Sequence, residues 1–374
     1  MVRNTNQEVF LELLRAGLWE KEARLSQFNG IDYGAVMEMA EEQAVVGLVT
    51  AGIEATTNHA DGTTISIPKE WSLQFIGSTL QVEQQNKDLN EFLARLIEKL
   101  RKENVYTILV KGQGVAQCYE KPLWRASGDV DLLLSDTNYE KAKKVLIPLA
   151  IDVEKEFKTF KHQGMTMEVG FAVELHGTLH GRLSRRVDKV IDEAQKDVFY
   201  KGSVRSWNNE GTTVFLPSPD NDVIFVFTHI LHHFYIEGIG LRQICDWCRL
   251  LWTYREKLDL QLLESRIRRA GLMTEWKAFA AFAVEYLGMP KEAMPLFNES
   301  DNQNDNLKKK AEQILEFVLE CGNFGHNREK AGGKINSAWS KLKDFARHLT
   351  VFPVDSVKFF CHFMVDGLKL VLTK

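Results

Sequence analysis

Residues 125–134 read RASGDVDLLL, with Asp129 and Asp131 separated by one residue at the front of an apolar run. On a strand, residues two apart point to the same side. Both carboxylates would then project together while Val130 turns into the core, and Leu132 to Leu134 continue the buried run. Upstream, VYTILV at 105–110 is β-branched and compact, which predicts another buried strand. It runs into KGQG at 111–114, a short helix-like VAQCYE, and KPLW. Downstream, Ser135, Asp136 and Thr137 are candidate N-caps for a helix over NYEKAKKVLIPLA. Strand-like stretches follow at MTMEV (165–169) and AVELHGTL (172–179). A helix over RRVDKVIDEAQKDV comes next, and VRSW–NNEG–TTVFL reads as a hairpin turning at Asn-Glu-Gly.

The flanks are helical. Residues 7–55 repeat apolar side chains at three and four, as with Phe10, Leu13, Leu14 and Leu18. A polar loop over 57–68 ends at Pro68, and a long helix over 69–103 closes on the amphipathic EFLARLIEKLRKEN. From Pro217 onward the chain reads as helices, with 299–310 (ESDNQNDNLKKK) expected to be a loop. The Phe-rich face of the tail VKFFCHFMVDGLKLVL, from Val357, fits a core or dimer helix better than a membrane anchor. The expected class is α+β: a small mixed β-sheet core with flanking helices, between N- and C-terminal helical regions. The expected divisions are 1–95, 96–216 and 217–374.

The chain has 374 residues, 44% hydrophobic and 26% charged, enough for two or three units with ordinary cores. A net charge of −4 gives no support for a general binder of nucleic acid or membrane surfaces. Long nucleic acids are not expected partners. The start, MVRNTNQEVFLELLRAGLW, has no long apolar stretch of a secretory signal, and no run reaches transmembrane length. Five scattered cysteines, an odd number, fit reduced thiols. The expectation is a cytoplasmic protein without a membrane partner.

Two carboxylates held so close repel, and one would tend to keep a proton. A divalent cation between them removes that cost, and Mg²⁺ favours one or two carboxylates together with phosphate oxygens and water. The aspartates therefore read as ligands for a metal that arrives with a nucleotide. The competing account is plainer: Asp129 caps a turn and Asp131 ends a solvated strand. Three features favour the metal. Ser127–Gly128 permits close backbone approach to phosphate, a strand–Lys111–Gly112 loop lies upstream, and a third carboxylate, Glu174, lies on the VELH strand.

The combination LVKGQG, R-x-x-GDVDLLL and VELH resembles the DNA polymerase β-like nucleotidyltransferase superfamily. Within it, the pattern is most similar to the uncharacterised bacterial nucleotidyltransferase family 5. The matching residues are Lys111, Gly112, Arg125, Asp129, Asp131, Glu174 and His176, then HILHHF and Leu241, Arg242 and Asp246. The likeness spans roughly residues 95–255. It departs where Lys-Gly-Gln-Gly replaces the superfamily's Gly-Ser, and where Glu replaces the usual third Asp.

The resemblance implies nucleotidyl transfer from an NTP, ATP first among them, to a hydroxyl of a small molecule or protein, with release of pyrophosphate. A catalytically inactive nucleotide-binding or protein-interaction module on the same fold is the alternative. Mg²⁺, as two ions, is the implied cofactor, with Mn²⁺ a substitute. Asp129 and Asp131 would hold the first ion and share the second. Glu174 would complete the second site or act as general base. Lys111 would meet phosphate as a point charge and Arg125 as a bidentate fork. Gly112, Ser127 and Gly128 would let the backbone approach, and His176 would touch nucleotide or orient Glu174.

Competing roles stand beside these. Lys111 could be a solvated strand-end lysine, Arg125 could pair with Asp129 or Asp131, and Glu168 rivals Glu174. Cys245-Asp246-Trp247-Cys248 lies inside a helical pattern, which disfavours redox or zinc chemistry. His229, His232 and His233 lack an H-E-x-x-H glutamate, so packing or hydrogen bonds to Asp246 or Arg242 are the expected role.

Overall fold

The computed structural model describes residues 4–57, 67–167, 170–236, 238–323 and 334–361, with backbone only at 57, 159 and 334–342. Its centre is a five-stranded mixed sheet in the order β1-β2-β5-β4-β3. The strands are β1 (Ile108–Val110), β2 (Asp129–Leu133), β3 (Ala150–Val153), β4 (His162–Met167) and β5 (Ala172–His176). Only β2 and β5 run parallel; the other neighbours are antiparallel. A separate hairpin pairs β6 (Val204–Asn209) with β7 (Thr212–Pro217). Its turn places Glu210 and Gly211 at positive φ, as a tight right-twisted hairpin requires.

Fourteen α-helices among the described residues surround the sheets. The N-terminal ones are α1 (Thr5–Trp19), α2 (Tyr33–Glu42), α3 (Val46–Thr57) and α4 (Lys69–Lys102). Between the strands come α5 (Gly112–Ala116), α6 (Asp136–Leu146) and α7 (Arg185–Lys201). After β7 come α8 (Pro219–Ile236), α9 (Leu241–Tyr254), α10 (Leu260–Ala270) and α11 (Met273–Leu287). Then follow α12 (Glu299–Asn302), α13 (Asp305–Cys321) and α14 (Lys334–Val351). No described helix is long and apolar enough to cross a membrane. The protein is α+β.

Alternation splits the sheet between two apolar cores. Val130, Leu132, Val173 and Leu175 point to one side and pack with Leu89, Leu93 and Leu96 of α4 and Tyr139 of α6. Ile108, Val110 and Leu133 point to the other side, into the larger helical core. Helix α4 joins both: Phe75 lies in the larger core, Leu89 to Leu100 in the smaller. The expected division at 95/96 thus falls inside one continuous helix, because its apolar stripe serves both cores. A Cβ on Gly47 of α3 would meet the Trp124 carbonyl oxygen at 2.1 Å, so bare backbone there lets α3 press on the segment leading to Arg125.

Some elements differ from expectation. Strand β3 is missing from the sequence reading, which carried helix through LIPLA. Its Ile151, Asp152 and Val153 are exposed on a sheet edge, so backbone pairing with β4 holds it and no buried alternation marks it. The expected loop over 299–310 contains α12 and the start of α13. Asn298 and Asn304 cap them through their side chains, so polar residues that resemble loop begin helices instead. Ser135 sits at the N-cap of α6 without a side-chain capping bond. The expected loop over 57–68 and the tail lie largely outside the described residues, which end at Cys361.

Candidate active site

Strand register assembles the acidic cluster. Asp131 on β2 lies opposite Glu174 on the parallel β5, and Asp129 lies opposite Ala172. Period-two alternation then sets Asp129, Asp131, Glu174 and His176 on one face. The same register brings His162 of β4 beside His176, ring centroids 4.9 Å apart. These five residues and Lys111 line one cavity of about 520 Å³, whose far wall is formed by α8 and α9.

The cations inside this cavity are tied to the acids. Lys111 Nζ donates to Asp131 Oδ1 at 2.9 Å, and His176 Nε2 donates to the same oxygen at 2.7 Å. His162 Nε2 lies 3.1 Å and His176 Nε2 3.4 Å from Glu174 Oε2. Burial pulls the Lys111 ammonium down, but Asp131, Glu174 and Asp129 outweigh it and the net shift is upward. His176 behaves alike: burial lowers it, and hydrogen bonds to Asp131 and Glu174 raise it overall. Burial raises Glu174, yet hydrogen bonds from His162 and His176 hold it well below the ordinary glutamate range.

Asp129 stands apart. Asp131 raises its pKa first, and burial adds to that. Its carboxylate makes no hydrogen bond or ion pair among the described residues. An aspartate that is half-buried, destabilised by its neighbour and turned into a cavity is suited to a cation supplied from outside the chain. Asp129 and Asp131 offer oxygen donors of the kind a hard divalent ion takes, although the described ligand atoms that lie within 4.8 Å of one another are those of His162, Glu174 and His176.

Lys111 carries backbone strain, with φ 58 and ψ −146, a region that non-glycine residues rarely occupy. Gly112 follows with φ +36. Such strain costs about 1–3 kcal/mol and clusters at functional sites. Lys111→Gly and Lys111→Ala remove the same ammonium, so comparing them isolates the backbone. The glycine variant is expected to be the more stable by about 1–3 kcal/mol in urea unfolding. Equal midpoints would mean that Lys111 holds no strain.

Arg125 lines the cavity, but its carboxylate partner is neither Asp129 nor Asp131. Instead it is buried against Asp246 of α9, Nε to Oδ1 at 3.1 Å and Nη2 to Oδ2 at 2.5 Å. Nη1 donates to the Ala126 carbonyl and to Ser127 Oγ. The guanidinium is committed on all three nitrogens to bracing the loop before β2. Ser127 joins it: Oγ donates to Gln113 Oε1 at 2.8 Å, and the residue is not on the cavity wall. Gln113 Nε2 in turn reaches Asn86 of α4, whose Nδ2 donates to the Leu123 and Arg125 carbonyls. Gly128 is exposed and also off the wall. Gln113 of KGQG and Arg125 and Ser127 of the R-x-x-G stretch thus form a clamp with Asn86.

His162 was missed. It begins β4 where no apolar pattern marks it, and only the pairing of β4 with β5 brings it to the site. Phe157, Phe160 and Leu179 also line the cavity, Phe160 from the end of a 3-10 turn at Lys158–Phe160 and the other two from the segments beside β4 and β5. Glu168, the rival of Glu174, lies outside the described residues.

The α8 histidines also face the cavity. Their rings pack on one another, with centroids 4.3 to 6.5 Å apart. His233 and His229 meet Nε2 to Nε2 at 3.0 Å, and His232 Nδ1 donates to the Gly181 carbonyl at 2.7 Å. Burial, then Lys111, pushes His229 well below the ordinary histidine range. Arg242 donates to the Ala126 carbonyl, and burial with neighbouring Arg125 lowers it to about 10. Cys245 and Cys248 are buried in α9, and burial pushes both thiols up, which leaves them unreactive.

A family model described as an uncharacterised nucleotidyltransferase matches residues 29–288. No curated protein matches the chain. Among solved structures, an antigenic nucleotidyltransferase-like protein from Paracoccidioides brasiliensis is 15% identical, with a TM-score of 0.32 over 58% of this chain and 97% of that one.

Proposed function

The chain belongs to this uncharacterised nucleotidyltransferase family, and from that premise we propose a Mg²⁺-dependent transfer of a nucleoside monophosphate from an NTP to a hydroxyl acceptor. The family implies an NTP substrate. In the proposed reaction the acceptor oxygen bonds to the α-phosphorus, the bond to the β-phosphate oxygen breaks, and pyrophosphate leaves. The acceptor proton passes to solvent or to a basic side chain. The observation that carries this reading is the convergence of Asp129, Asp131 and Glu174 on one sheet face inside a cavity.

Asp129 and Asp131 would hold the ion, with Glu174 completing a second position. When bound, Mg²⁺ would neutralise triphosphate charge and polarise the phosphoryl group. Lys111 would turn from Asp131 toward phosphate, since the ion replaces it as that carboxylate's partner. Glu174 is held firmly ionised, which favours a ligand over a general base, for which a pKa near neutrality is more effective. A cavity of about 520 Å³ with Phe157, Phe160 and Leu179 on its wall suits a small acceptor or a single side chain.

One observation favours the second reading, a nucleotide-binding module without turnover: Asp131 is already neutralised by Lys111 and His176. Thermal shift with each Mg-NTP, followed by pyrophosphate release over a panel of small hydroxyl acceptors, separates the two. The expected result is stabilisation by Mg-ATP beyond that by Mg²⁺ or ATP alone, and pyrophosphate with at least one acceptor. Stabilisation with no pyrophosphate selects the second reading. No shift with any Mg-NTP at saturation overturns both.

A further inference from the structure

Beside the acids, His162 Nε2 and His176 Nε2 converge on one oxygen of Glu174, at 3.1 and 3.4 Å. One ligand atom from each of the three residues lies within 4.8 Å of the others. Strand pairing holds them there. His162 is the direct antiparallel partner of His176, and Glu174 is two residues before His176 on the same face. Two imidazoles and a carboxylate on adjacent strands are a preformed set, and all three line the cavity.

That donor set is wrong for Mg²⁺, which prefers oxygen and water. It is right for borderline first-row ions, which imidazole suits, and affinity rises along the series toward Cu²⁺ and Zn²⁺. Two histidines and one glutamate with an open position toward a cavity match the ligand count of a non-structural zinc site. We propose that His162, Glu174 and His176 bind one ion of the Zn²⁺ or Co²⁺ class, separate from the hard-ion position at Asp129 and Asp131. The site deepens the proposed function by sharing Glu174 with it, but its occupation requires no nucleotide. An ion there would leave fewer oxygen ligands for Mg²⁺, so the identity of the available metal would set how Mg-NTP is held.

The test titrates Co²⁺ alone into the metal-free full chain and follows its visible ligand-field absorption, with excess Mg²⁺ present throughout. The expected result is saturation at one ion per chain, undisturbed by Mg²⁺. His162→Ala is expected to weaken binding by at least about tenfold, the loss already typical for outer-shell partners. His162 begins a strand and is partly exposed, so the variant should fold, which circular dichroism checks. His162→Cys should restore binding and add a thiolate charge-transfer band. Asp129→Asn should leave Co²⁺ binding unchanged. The proposal is overturned if the parent shows no visible band at saturation, if His162→Ala binds as tightly as the parent, or if Asp129→Asn removes the ion. Failure here leaves Mg-ATP stabilisation intact, whereas failure of the nucleotidyltransferase reading removes that stabilisation and leaves Co²⁺ binding in place.

Discussion

Asp129→Asn is expected to abolish pyrophosphate release while raising the melting temperature of the ligand-free protein. The activity loss follows from removing a metal ligand. Charge stabilisation by a bound ion supplies several kcal/mol, which is about a thousandfold in rate at 1.36 kcal/mol per decade. The gain in stability follows from the apo site. Asp131, then burial, raises the Asp129 pKa; Lys111 and Arg242 offset this only in part, and no described side chain bonds the carboxylate.

The sign follows from linkage. A carboxyl whose folded pKa is raised binds its proton more tightly when folded. Its contribution to stability falls as pH rises from the ordinary aspartate value of 3.8 through the raised folded value. Above that window the whole penalty stands, and there the neutral amide is favoured. The difference in stability between variant and parent should therefore grow across that window and then level off. Asp131→Asn should lose activity equally but melt lower, because Lys111 and His176 both depend on that carboxylate. Opposite stability shifts for two aspartates two residues apart would be hard to obtain from a purely structural pair. If Asp129→Asn keeps parental activity, the ion does not sit at Asp129.

Asp246→Asn is expected to cost about 3–5 kcal/mol in urea unfolding, the usual loss when a buried ion pair is broken from one side. Both side chains are 8% exposed, and the guanidinium meets the carboxylate through two nitrogens. Burial pulls the Arg125 pKa down, Asp246 pulls it up further, and the arginine stays charged. The amide leaves that charge without its counter-ion and sets an NH2 against Nη2, while the Tyr119 hydroxyl, which donates to Asp246 Oδ1 at 2.8 Å, keeps only a neutral acceptor. Pairing Arg125→Met with Asp246→Leu should recover much of the loss, since two apolar groups leave nothing unpaired. A single variant within about 0.5 kcal/mol of the parent, the range of ordinary surface changes, would show that the pair does not brace the loop.

What could be read from the sequence was what depends on neighbours along the chain. Alternation around Val130 and Leu132 announced β2 and set Asp129 and Asp131 on one face. The same period paired Glu174 with His176 on β5, and three- and four-residue spacing announced the long α4. The motif pattern then led to the correct family and to an α+β class. Strand β3 escaped because an exposed edge strand is held by backbone bonds, which leave no side-chain signature.

What only the tertiary structure decided was which residues meet. His162 joins Glu174 because β4 pairs antiparallel with β5 in one register, and a shift of one residue would turn it away. Arg125, Gln113 and Ser127 carry the right chemistry for phosphate, but the docking of α9 and α4 takes up their hydrogen bonds first. A sequence states what a side chain can do. Which of several partners it takes depends on distances between elements far apart in the chain, and those are set by how the two cores pack against the sheet.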